Sequence, residues 1–135
     1  MISLCILASI SIGLQEIEQE TERAWRTPEE IRAHLTNQAE TVDEITISTI
    51  GHTQLGQPIQ CIEIAREGAV AIEDRSAILV VAGIDGNHLL GSEVAIDLIA
   101  HVLAMDPEET RNLLETHKLF VIPQVNADVA QYYFT

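Results

Sequence analysis

The chain has 135 residues, enough for one domain with a real core. A hydrophobic content of 47 % argues against a disordered protein. The 21 acidic residues outweigh 7 basic ones, and the resulting net charge of −14 repels phosphate backbones and sets nucleic-acid partners aside.

Residues 2–14 (ISLCILASISIGL) form an uncharged apolar run of thirteen residues, too short to span a bilayer. The run reads as the apolar part of a secretory signal, with Ser11 and Gly13 as small residues near a cleavage point, although no Lys or Arg precedes it. A core segment is the other reading. Residues 15–24 then read as an acidic linker, so the expected organisation is a signal segment (1–14), a linker (15–24) and a domain over 25–135. A signal predicts a secreted or periplasmic protein, and its absence a cytoplasmic one. Cys5 lies in the apolar run and Cys61 in a predicted strand. With no CxxC pair a thiolate metal site is unsupported, and Cys61 reads as a small buried hydrophobe.

Thr27-Pro28-Glu29-Glu30 is a capping-box start, and Ile31, His34, Leu35 and Gln38 follow at helical spacing, which predicts a helix near 28–40. Glu44 to Ile50 alternates with period two, Gly51 to Pro58 reads as a turn, and Ile59 to Ala65 alternates again, which predicts an antiparallel pair. Residues 66–75 are a polar connection. Ala77 to Ala82 shows no alternation, as expected of a strand buried on both faces. Ser92 is the expected cap of the next helix, with Val94, Ala95, Leu98, Ile99 and Val102 as its apolar stripe. Asp106-Pro107-Glu108-Glu109 opens a second helix to about Thr116, and Leu119 to Pro123 is a further strand that leads into a polar loop, Gln124 to Asp128. Strand, crossover helix, strand implies a parallel pair, so the loops at 83–91 and 124–128 should open on the same edge of the sheet.

The first of these loops carries the chemistry. Asp85 and His88 stand three residues apart, and zinc accepts a carboxylate oxygen and an imidazole nitrogen. Spacing alone favours a plainer reading, in which Asp85 caps its own turn and His88 is a surface residue. Glu93 suits the first turn of a helix, where a carboxylate meets the helix dipole, or a hydrogen bond that steadies a ligand. Asp97 and His101 read as a surface pair, and His34, His52 and His117 are isolated. Gly83-Ile84-Asp85-Gly86 lacks the third glycine of a dinucleotide loop, and neither a P-loop nor a Gly-x-Ser-x-Gly elbow occurs.

Three segments in order resemble the start of the zinc metallocarboxypeptidase (carboxypeptidase A-like) domain. That family reads I-G-x-S-x-x-G-R-P-I, then G-x-H-G-x-E-x-x-G-x-E, then P-x-x-N-P-D-G. The corresponding segments here are Ile50 to Ile59, Gly83 to Glu93 and Pro123 to Val129, and Trp25 to Leu35 is similar to the family's opening helix. The ligand types are exchanged: the family's His-x-x-Glu falls on Asp85 and His88. Gln57 stands for the arginine of the first segment, and Val129 for the glycine of the third, so that turn must avoid positive φ.

The resemblance implies an α/β fold: a partial three-layer α/β/α sandwich with a mixed, mostly parallel sheet. It implies one Zn2+ held by Asp85 and His88, with Asn126 and Asp128 in the loop near the site. A third ligand histidine, the arginine that holds the substrate carboxylate and the glutamate base would lie beyond residue 135, so no catalytic base is assigned within the chain. The implied activity is removal of C-terminal residues from peptides, and a chain lacking those three groups should be inactive. Two other readings are an acyl-amino-acid amidohydrolase of the same fold and a non-catalytic domain that binds peptide or glycan termini. The implied partner is a peptide or small acylated amino acid, with neither nucleic acid nor a membrane span, and the oligomeric state is open.

Overall fold

The computed structural model describes residues 25–135; the apolar run and the acidic linker lie outside the described residues. The first element is set by its cap. Thr27 Oγ1 accepts from the Glu30 amide at 3.2 Å, and the Glu30 carboxylate accepts from the Thr27 amide at 2.8 Å. Helix α1 (Pro28–Thr41) follows and buries Pro28, Ile31 and Leu35.

Strands β1 (Ile45–His52) and β2 (Pro58–Ile64) form the expected antiparallel hairpin, with a register shift between Thr49 and Gly51. The connection that follows holds a short 3-10 turn, Ile72–Asp74. Strand β3 (Ser76–Val81) leads through helices α2 (Leu90–Ala104) and α3 (Pro107–Leu114) to β4 (His117–Ile122). The sheet order is β1-β2-β4-β3, and it is mixed as expected but not mostly parallel: β1 and β4 both run antiparallel to β2, and only β3 and β4 are parallel. The parallel pair is the one that the strand–helix–strand pattern predicts.

The register places Ile62 opposite Val121 and Ile64 opposite Leu119, so these four side chains share one face. Ile31 and Leu35 of α1, Ile96 and Ile99 of α2 and Leu114 of α3 pack onto them in one buried cluster. Cys61 is buried and free, and that burial pushes its thiol pKa up. Among the described residues no helix is long and apolar enough to cross a membrane.

Four further expectations need correction. The strand expected to be buried on both faces is instead exposed: Ile78 is 45 % exposed, Leu79 60 % and Val81 40 %. Among the described residues β4 alone pairs with β3, so β3 is an edge strand: Val80 packs against the core on one face, while Leu79 and Val81 on the other are exposed. Ser92 does not cap α2, because the helix begins at Leu90; Ser92 is buried in its first turn. The buried stripe of α2 runs through Ala95, Ile96, Ile99 and Val102, while Val94 points outward. Finally, the loop expected at 124–128 ends in a helix, α4 (Ala127–Tyr132), that the sequence did not announce, since six residues give too short a window for periodicity.

Candidate metal centre

Because β3 and β4 are parallel, their carboxyl ends lie side by side. The chain beyond them stays joined: the Val125 amide donates to Ala82 O at 3.2 Å and the Asn126 amide to Gly83 O at 2.9 Å. The two loops therefore meet at one edge of the sheet, as their topology predicts.

Two glycines let the β3–α2 loop lie flat against its neighbour. Gly83 has φ +59, and a Cβ there would meet Ser92 Oγ at 2.7 Å and Gln124 Cα at 2.9 Å. Gly86 is buried, and a Cβ there would meet Val129 Cβ at 2.6 Å, Ala130 N at 2.8 Å and Asn126 O at 2.8 Å. With both glycines turned inward, Asp85, Asn87 and His88 are turned out to solvent.

Asp85 Oδ1 accepts from the Asn87 amide at 3.1 Å, which is the turn-capping bond of an Asx residue. Its other oxygen, Oδ2, lies 2.8 Å from His88 Nδ1. Those two bonds, the backbone one first, hold the Asp85 carboxyl below the usual range, so it is ionised at neutral pH. The turn-capping bond and the facing imidazole thus coexist, one on each carboxylate oxygen.

This pair suits a divalent cation in part. Two donors on one tetrahedral zinc stand about 3.3 Å apart, so Oδ2 and Nδ1 need separate only slightly to chelate an ion. Both side chains are more than half exposed and free to do so. A catalytic zinc needs a third protein ligand. Among the described residues no group of three or more His, Cys, Asp or Glu is placed to supply it. Asp85 and His88 would therefore supply at most two of the three protein donors that a catalytic zinc needs.

Glu93 lies in the first turn of α2. Its carboxylate accepts from the Arg26 amide at 2.8 Å and from the Arg26 guanidinium, which ties the segment before α1 to the start of α2. Asn126 is the N-cap of α4, and its side-chain oxygen accepts from the Val129 amide. Asp128 reaches away from the helix and accepts from Thr53 Oγ1 at 2.6 Å and the Leu55 amide at 2.9 Å. That contact to the β1–β2 turn, 75 residues away in the chain, was not legible from sequence. Between this turn, Ile84 and α4 lies an open cleft of about 520 Å³, lined by Leu55, Val125 and Tyr132 among others. Asp97 and His101 both face solvent.

Residues 31–135 match the sequence profile of the zinc carboxypeptidase family. The fold is similar to that of thrombin activatable fibrinolysis inhibitor, with a TM-score of 0.73 and 17 % identity over 82 % of this chain and 28 % of that one. It is also similar to carboxypeptidase A from Helicoverpa armigera, with a TM-score of 0.65 and 19 % identity over 77 % and 25 % of the two chains. For a metallo-carboxypeptidase from Burkholderia cenocepacia the TM-score is 0.64 and the identity 14 %, over 75 % and 27 %. The chain thus spans little more than a quarter of the length of these solved structures. No curated protein matches it.

Proposed function

This chain belongs to the zinc carboxypeptidase family, and on that premise we propose that it contributes two metal ligands, Asp85 and His88, to a zinc-dependent hydrolase that removes C-terminal residues from peptides. The observation that carries the proposal is the facing of Asp85 Oδ2 and His88 Nδ1 at 2.8 Å, in the loop whose Ile84 lines an open cleft. A zinc ion bound there supplies Lewis-acid polarisation of the scissile carbonyl and acidifies a water. The chain's own part is to hold and orient. Asp85 meets the ion as an anion, because its carboxyl is already ionised at neutral pH. The Asn87 amide fixes one carboxylate oxygen and leaves the other to face the imidazole. The cleft offers the apolar surfaces of Leu55, Ile84 and Val129 beside the amide of Gln54, a surface suited to a peptide side chain. A third ligand and the proton-transferring base come from outside the described residues.

The test uses the intact protein. Metal analysis should find one zinc per chain, lost in Asp85→Ala and in His88→Ala. Peptides with a free C-terminal carboxylate should be trimmed, and amidated ones spared. A protein that binds no zinc, or keeps it after both substitutions, overturns the reading. Hydrolysis of N-acyl amino acids with peptides left intact would make it an amidohydrolase.

A further inference from the structure

We propose that Asp128 is a positioning residue for the Asp85–His88 pair, acting through the first turn of α4. This rests on the metal-ligand reading above. Asp128 stands second in α4, yet the cap of that helix is made by Asn126, whose side chain takes the Val129 amide. The Asp128 carboxylate is therefore not needed to start the helix. Both its oxygens go instead to the β1–β2 turn, one to Thr53 Oγ1 at 2.6 Å and one to the Leu55 amide at 2.9 Å.

The turn that receives it is internally fixed. Thr53 Oγ1 also accepts from the Gln57 amide at 2.9 Å, the Thr53 amide donates to Gln57 O at 2.8 Å, and Gly56 adopts φ +83. Asp128 thus anchors α4 to a rigid hairpin end. In the same helical turn, Val129, Ala130 and the Asn126 carbonyl form the surface on which Gly86 rests. Gly86 separates Asp85 from Asn87, whose amide holds the Asp85 carboxylate. Hairpin, Asp128, α4 and Gly86 form one packed sequence of contacts that ends at the metal donors. If α4 loses its anchor, it can roll on the sheet edge, and the seat of Gly86 moves with it. The donors then sample orientations that do not converge.

The test compares Asp128→Ala, Asp128→Asn and Thr53→Val in the intact protein. The first readout is amide hydrogen exchange at Asn87 and His88 without metal; the second is zinc affinity by chelator competition. Asp128→Ala should speed exchange in the loop about 10-fold while the β2 and β4 amides keep their protection, and should weaken zinc binding by about 10-fold, the scale seen when a group that orients a ligand is removed. Asp128→Asn keeps an acceptor oxygen and should recover most of both. Thr53→Val removes one of the two bonds and should shift both readouts less, in the same direction. Should Asp128→Ala fail to fold, the other two variants decide. Wild-type loop exchange and zinc affinity in folded variants, with only the melting temperature lowered, would overturn the proposal. A wild-type protein that binds no zinc defeats the metal reading alone, and loop exchange still decides the role of Asp128.

Discussion

At Gly86 the loop has no room for a methyl group. Two of the three atoms that a Cβ would strike belong to the backbone of Asn126 and Ala130 and cannot swing aside. Gly86→Ala should therefore cost about 1–3 kcal/mol in denaturant unfolding. Gly51→Ala, whose Cβ meets nothing within 4 Å, is the matched control and should stay within about 0.5 kcal/mol. The spacing of Asp85 and His88 was legible in the sequence because three residues of turn bring two side chains to one point. The contact of Gly86 with Val129 was not. Val129 reads along the chain only as a missing glycine, whereas in the fold it sits inside α4, and no described non-glycine residue has positive φ. A second prediction belongs to Glu44, whose pKa is lowered chiefly by its hydrogen bond from Arg66. A lowered pKa means that the pair stabilises the fold above the ordinary glutamate range and ceases to do so as pH falls through the lowered value. Thermal melts of Glu44→Gln should show a deficit of no more than about 1 kcal/mol at pH 7, smaller in high salt and absent near pH 2.

Among the elements, β3 differs most from its sequence. Period and composition correctly mark α1, the β1–β2 hairpin and the parallel β3–β4 pair, because each depends on local pattern or on a crossover rule. Whether a strand is central or at an edge depends on partners elsewhere in the fold, and the run SAILVV is the same in either case. Here that run holds no proline and no charge, two of the devices by which edge strands are protected from pairing with other chains. Leu79 and Val81 stand on one face of β3 and Ile78 on the other, all substantially exposed. The 135-residue chain should therefore self-associate as salt screens its charge of −14, with increased binding of an apolar dye. Leu79→Lys should restore the monomer in sedimentation or size-exclusion measurements; unchanged association would place the sticky surface elsewhere.

For the molecule as a whole, one cluster of buried side chains joins three helices to the sheet, so the described part of the chain has a single core. Composition foretold that much, and the fold class followed from the order of elements. What it could not foretell is how the outer connections are held. Two of them depend on acid–base pairs: Glu93 with Arg26, and Glu44 with Arg66. The connection before β3 is held differently. Arg75 is buried, and its guanidinium donates to the carbonyl oxygens of Arg66, Val70 and Leu114. Carbonyls do not titrate, and an arginine side chain keeps its proton throughout the accessible range. Souring the solution therefore unfastens the seam that the Glu44 carboxylate holds, yet leaves this knot between the second and third strands as tight as before.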